Sequence, residues 1–320
     1  MSAADANQNS LSSILPWQRE FWSNFNQRLE QQRLPHALML NGLDGIGVDS
    51  LATAMAQRLL CEADNADTAC GKCKACQLNL AGTHPDFMQL TPSEPGKPIV
   101  IDQIRELSAV MAKTAQRGGW KVVVINPTES MNIAASNALL KSLEEPQPNT
   151  LLILVSYRLS IVPATIRSRC QIETLNVPDS LAAKSWLESS LDNPQQVDRI
   201  LDLANGRPLL AMEYLQGTGI DDRQHVESLL DAVRRTEQSP LDAAQACQKY
   251  HPDDLIGWIM SYLHRLMVGE LRDQKNPALF QFLDKLIEAR AWILSGSNVN
   301  TQLLWESLFI EWSQVFRRQR

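Results

Sequence analysis

Gly42-Leu43-Asp44-Gly45-Ile46-Gly47-Val48-Asp49 is the stretch on which the fold turns. An apolar run, Ala37-Leu38-Met39-Leu40, leads into it, and a helix-forming stretch, 50–60, follows it. Strand, glycine loop and helix in that order form the arrangement that cradles phosphate on backbone amides. A working loop of this kind ends in Lys and then Ser or Thr. The Lys reaches the β- and γ-phosphates and the hydroxyl holds Mg²⁺. Here Val48 stands in the place of the Lys and Asp49 in the place of the hydroxyl. Val48 brings no charge and Asp49 brings the wrong one. The loop, with Gly42, Gly45 and Gly47 retained, reads as the shell of a nucleotide site without its chemical groups.

Outward from the loop, strands alternate with helices. Phe87-Met88-Gln89-Leu90 predicts a strand, and 102–115 a helix, with Ile104, Leu107, Val110 and Met111 at helical spacing. Lys121-Val122-Val123-Val124-Ile125 and Leu151-Leu152-Ile153-Leu154-Val155 are apolar without alternation, as central parallel strands buried on both faces must be. A helix is predicted over 17–32 and another over 132–144, stopped by Pro146, and a last strand over 172–177. This alternation predicts a parallel α/β sheet with helices on both faces. After Pro178 the pattern is helical, over 181–191, 195–204 and most of 225–319. The expected organisation is an α/β domain at 1–178, a small helical domain at 179–219 and an all-helical domain at 220–320. The Trp-rich end, with Trp258, Trp292, Trp305 and Trp312, is expected to be core.

The chain has 320 residues, 44% of them apolar, and a net charge of −6. That acidic balance argues against wrapping DNA over the whole surface, which needs clustered Lys and Arg. The polar segment 1–10 carries no signal-peptide pattern and no run has the length of a membrane span, so a cytoplasmic location is expected.

Four of the six cysteines are Cys61, Cys70, Cys73 and Cys76. Each Cys-x2-Cys step can present two thiolates to one ion, and four thiolates suit tetrahedral Zn²⁺. An iron–sulfur centre also favours Cys-x2-Cys-x2-Cys, but its usual fourth Cys lies downstream before a Pro, whereas here the fourth is upstream. Four unligated thiols are the remaining reading. With all four ligands supplied by protein, the expected ion at 61–76 is structural. The buried strand over 121–125 ends in Asn126-Pro127. P-loop ATPases hold Mg²⁺ there with an Asp, and Asn126 and Pro127 can neither carry that charge nor take a proton. Cys170 reads as a small buried residue, isolated Cys247 as core, and His84 as a packing or turn residue rather than a ligand.

Several segments together resemble the clamp-loader branch of the AAA+ ATPases: His36-Ala37-Leu38, the glycine loop, the four-Cys insertion and Thr83-His84-Pro85-Asp86. So do Asn137-Ala138-Leu139-Leu140-Lys141-Ser142-Leu143-Glu144-Glu145-Pro146 and Thr165-Ile166-Arg167-Ser168-Arg169-Cys170. The resemblance is strongest over 14–215. It implies a hetero-oligomeric ring in which the Arg of Ser-Arg-Cys contacts ATP on the neighbouring subunit, making Arg169 an arginine finger in trans. It further implies motor (gamma/tau) subunits and a delta subunit as partners, a helical collar at the C-terminus, and action on a sliding clamp and primer-template DNA. Where the family's motors carry a lid Arg, the aligned residue here is Leu209. The expectation is a subunit without ATP hydrolysis of its own. An active motor of the same family would need a Lys at 48 and an acid at 126. A zinc-dependent nucleic-acid-binding protein on an inactive AAA+ scaffold would need a basic face near the cysteines, and inside the cluster only Lys72 and Lys74 are basic.

Overall fold

A computed structural model describes residues 11–63, 66–94, 96–117, 119–191, 197–216, 219–269, 277–294 and 300–317. The chain divides into two compact units, residues 1–214 and 215–320. The first begins with a short 3-10 turn at Pro16–Gln18 and then runs α1 (Arg19–Glu30), β1 (Ala37–Gly42), α2 (Val48–Leu60), α3 (Lys74–Leu80) and β2 (Phe87–Leu90). It continues with α4 (Ile101–Met111), β3 (Lys121–Ile125), α5 (Ile133–Glu144), β4 (Thr150–Ser156), α6 (Ala164–Arg167) and β5 (Gln171–Leu175). Three helices complete it: α7 (Ser180–Ser190), α8 (Val197–Leu203) and α9 (Pro208–Gln216).

The five strands form one parallel sheet in the order β2-β3-β4-β1-β5. Because side chains alternate along a strand, the apolar runs feed two cores. Val122, Val124, Leu151, Ile153, Val155, Leu38 and Leu40 pack with Trp22, Phe25, Leu51 and Met55 of α1 and α2. Val123, Ile125, Leu152, Leu154 and Met39 pack with Ile104, Leu107, Leu139 and Leu143 of α4 and α5. Every residue of β3 and β4 is buried, and each Val, Leu or Ile so placed contributes about 1.5–3 kcal/mol. The helices are therefore required on both faces, and the fold is the α/β arrangement the sequence predicts.

Local chemistry sets the element ends. Asn132 caps α5, its side chain accepting from the Ala135 amide at 2.8 Å. At the other end Glu145 leaves helical geometry (φ −122°, ψ 66°), as the residue before a proline tends to do. Three expectations shift. Helix α4 stops at Met111 rather than 115, because the buried Lys121 ammonium draws the carbonyls of Val110 (2.8 Å), Lys113 and Thr114 (3.5 Å) out of helical register. The first helix is split, the turn at Pro16–Gln18 preceding α1. The last strand sits one to two residues earlier than 172–177.

The second unit contains α10 (Gly219–Arg234), α11 (Pro240–Ala246), α12 (Pro252–Val268), α13 (Pro277–Leu294) and α14 (Thr301–Arg317). Its core includes Trp258, Trp305, Trp312 and Cys247, and the Trp312 indole donates to the Leu230 carbonyl at 2.9 Å. Trp292 departs from the expected core role: it is 52% exposed, on the outward side of α13. Among the described residues no helix is long and apolar enough to cross a membrane.

Candidate functional site

Ligands of open α/β sheets bind beyond the carboxyl ends of the strands, and the glycine loop leaves the carboxyl end of β1. Gly45 and Gly47 adopt φ of 83° and 81°, left-handed conformations that favour glycine. Gly47 forms the N-cap of α2. Beyond this backbone shell the site departs from a phosphate cradle. Val48 is 1% exposed and belongs to the core, packed against Gly42. Asp49 is exposed on the first turn of α2. A phosphate arriving here would meet a carboxylate where it needs a cation.

The loop is also covered by the chain itself. Buried Gln18 donates its amide to the carbonyls of Gly47 (2.7 Å) and Ile46 (3.3 Å), and the Trp17 indole donates to Ile46 at 2.9 Å. Leu15 presses so closely that a Cβ on Gly47 would lie 2.6 Å from its Cδ1. From the other side the Leu209 amide donates to the Gly45 carbonyl at 3.0 Å. A Cβ on Gly45 would lie 2.7 Å from Leu210 Cβ, and the Arg207 guanidinium donates to the Asp44 carbonyl at 3.4 Å. The two sides meet in an edge-on ring pair, Trp17 with Trp186 of α7, at 5.5 Å. None of Leu15, Trp17, Gln18, Trp186 or Leu210 carries a sequence signal for this role. Pro16-Trp17 marks a helix start, and the rest is tertiary.

Asn126 and Pro127 follow β3, and Tyr157 follows β4, at the same end of the sheet. Burial raises the Tyr157 phenol well above its ordinary range, the Asp49 and Asp44 charges push it further, and Asn126 pulls it down. The phenol therefore stays neutral. Glu129, buried, accepts from the Tyr157 amide at 3.0 Å and lies 3.8 Å from Arg158.

Arg169 lies between α6 and β5. Gln171 at the start of β5 pairs with Leu38, whereas Leu175 at its end pairs with Gly42. Arg169 thus sits at the amino end of the sheet and the glycine loop at the carboxyl end. A strand of this length, at ~3.3 Å per residue, separates them by roughly 15 Å, beyond the reach of an Arg side chain. Its side chain is 36% exposed, and its guanidinium pairs with Glu144 (Nη2 to Oε1, 2.6 Å), while Nη1 donates to the Thr165 carbonyl at 2.9 Å. Cys170 is half-buried rather than fully buried, and burial lifts its thiol to about 12.

The four sulfurs of Cys61, Cys70, Cys73 and Cys76 all lie within 4.8 Å of one another. A tetrahedral ion with ~2.3 Å bonds to sulfur needs neighbouring sulfurs about 3.8 Å apart, and Cys70 and Cys76 stand at 3.9 Å. Backbone amides aim at the sulfurs: Cys70 N at Cys61 (3.3 Å), Lys72 N and Cys73 N at Cys70 (3.4 and 3.3 Å), and Cys76 N at Cys73 (3.4 Å). The amides of Lys72 and Cys73 hold the Cys70 thiol down to about 6, while burial drives Cys76 up. Crowded thiolates repel one another, and a dication removes that conflict, so the residues fit a metal. His84 is not among them: its Nδ1 accepts from the Asp86 amide at 3.1 Å, and burial lowers its pKa. Asp86, 2% exposed, in turn pins the amides of Gln116 (2.7 Å) and Arg117 (3.0 Å).

The strand order, the altered glycine loop, the Cys insertion and Ser-Arg-Cys together define an AAA+ subunit of the clamp-loader type. A solved gamma subunit-related protein of DNA polymerase III from Thermotoga maritima shares the fold over 93% of this chain and 99% of its own, with a TM-score of 0.52 and 15% identity. The family model described as "DNA polymerase III, delta subunit" matches residues 17–179. The delta' subunit of Pseudomonas aeruginosa is 35% identical over 95% of this chain and 99% of its own length. That of Escherichia coli K12 is 30% identical over 92% and 94%. The chain belongs to the delta' subunits of DNA polymerase III, and so has a clamp-loader role in DNA replication.

Proposed function

We propose that this subunit hydrolyses no ATP itself and supplies Arg169 as an arginine finger to the ATP site of an adjacent gamma/tau-type motor subunit. In that role it helps the assembled complex, with a delta subunit, load a sliding clamp onto primer-template DNA. The observation that carries this reading is the opposition within one sheet: a glycine loop filled by its own chain at one end, a partly exposed Arg at the other. Arg suits the task because its planar cation stays charged and forks onto phosphate oxygens. In the GTPase case a finger accelerates transfer by ~10³–10⁵. The reading takes 179–219 as the lid, held by Leu209, Leu210 and Trp186, and 220–320 as the collar. The relatedness of the Buchnera gamma subunit, 30% identical over 58% of this chain, supports a ring of similar subunits.

In the reconstituted complex, Arg169→Ala should leave assembly intact and lower clamp- and DNA-stimulated ATP hydrolysis. Undiminished turnover and loading by that complex would remove the finger role. The cysteines would hold one Zn²⁺, which cross-links the loop between α2 and α3 and leaves no open coordination position. Elemental analysis of the purified chain should return about one zinc per chain. Iron, or no metal, would overturn this assignment.

A further inference from the structure

We propose that Glu144 is the positioning residue for Arg169, fixing its guanidinium before a neighbour's phosphate arrives. This rests on the finger reading and deepens it. An Arg side chain projecting unsupported from a loop has many rotamers and must lose that freedom when it engages. Arg169 has already lost much of it. One Glu144 oxygen accepts from both Nε (2.9 Å) and Nη2 (2.6 Å), and the Thr165 carbonyl accepts from Nη1 at 2.9 Å. The two anchors come from different elements, the C-terminus of α5 and helix α6. Glu144 is itself placed by the helix end, since Glu145 turns out of helical geometry ahead of Pro146.

Which N–H groups are used decides between positioning and inhibition. A guanidinium has five N–H groups, and the three short bonds occupy one on each nitrogen. One N–H remains on each terminal nitrogen, and the one on Nη1 makes only a long contact, 3.4 Å, to Ser168 Oγ. That remaining pair can fork onto phosphate oxygens without breaking the Glu144 contact. Glu144 therefore orients the finger and does not compete for it.

The test uses the reconstituted clamp-loader complex carrying Glu144→Ala, Arg169→Ala, both together, or Glu144→Gln. Because the Glu144 side chain is half exposed, its replacement should leave the fold intact, and thermal melting checks this. Glu144→Ala should lower the stimulated kcat roughly tenfold, less than the ~10²-fold that a 1 Å misplacement can cost, with KM for ATP little changed. Glu144→Gln, which still offers an oxygen to Nε, should keep most of the activity. The double variant should equal Arg169→Ala alone. Should Glu144→Ala disturb assembly, Glu144→Asp, one methylene too short to span Nε and Nη2, should show the same kcat loss. Full or raised turnover in Glu144→Ala beside a defective Arg169→Ala overturns the positioning role. A double variant lower than Arg169→Ala by the whole Glu144→Ala factor overturns it too, since Glu144 then acts elsewhere. Full turnover in Arg169→Ala brings down the finger reading itself, a different pattern.

Discussion

The two ends of the sheet in the first unit have opposite surroundings. At the carboxyl end the glycine loop has its carbonyls taken by Gln18, Trp17 and Leu209 and its surface covered by Leu15 and Leu210. At the amino end Arg169 is held by Glu144 yet keeps N–H groups available at the surface. The first end retains nucleotide-loop backbone without nucleotide-loop chemistry. The second holds a cation in place at the surface, as the proposed finger role requires. The comparison teaches that the two ends of one sheet can be built independently, because strand length holds them roughly 15 Å apart.

The comparison breaks most visibly at Arg169. Replacing it by Ala should cost the stimulated ATPase of the complex at least roughly tenfold, a floor set well below the ~10³–10⁵ of the GTPase case, while variants at the loop should leave the turnover of the folded complex alone. A harder challenge restores the missing groups. Val48→Lys with Asp49→Thr should still bind no fluorescent ATP analogue, because Leu15, Gln18 and Leu210 remain in place. Tight binding by that double variant would mean that the covering is no barrier. Gly47→Ala should lower stability by about 2–3 kcal/mol, combining a left-handed backbone with a contact that must shift. Urea denaturation measures it, and assembled complex should show ordinary ATPase. Smallest is Trp186→Ala, which removes the edge-on ring pair and should cost about 1 kcal/mol by the same measurement.

Much of this was legible in the chain because it depends on local pattern. Unbroken apolar runs announce strands buried on both faces, and the Cys spacing announces four sulfurs on one loop. Val48 and Asp49 declare the altered glycine loop without any coordinates. What was not legible depends on residues distant in sequence. Gln18 looks like an ordinary helix-surface Gln until its amide meets the carbonyls of 46 and 47. Trp186 looks like a helical apolar residue until it meets Trp17. Glu144 is one acid in a Glu-Glu pair, and nothing local says which of the two faces Arg169. Trp292 errs the other way: its size suggests core, but the side of α13 that carries it points outward. The end of α4 was misjudged because Lys121, ten residues beyond it, competes for the helix carbonyls.

The covering of the glycine loop also bears on history. Three segments contribute to it: the stretch around Leu15 to Gln18, Trp186, and the run from Arg207 to Leu210. A reversion that returned Lys to position 48 would gain nothing while the other segments remain. Removing any one of them first would expose backbone carbonyls or leave a void, and so lower stability before any benefit appeared. Each of these packing contacts is one more change that a return to a phosphate cradle would require. The specialisation of this subunit is in that sense a ratchet, held by side chains that a comparison of nucleotide motifs alone would pass over.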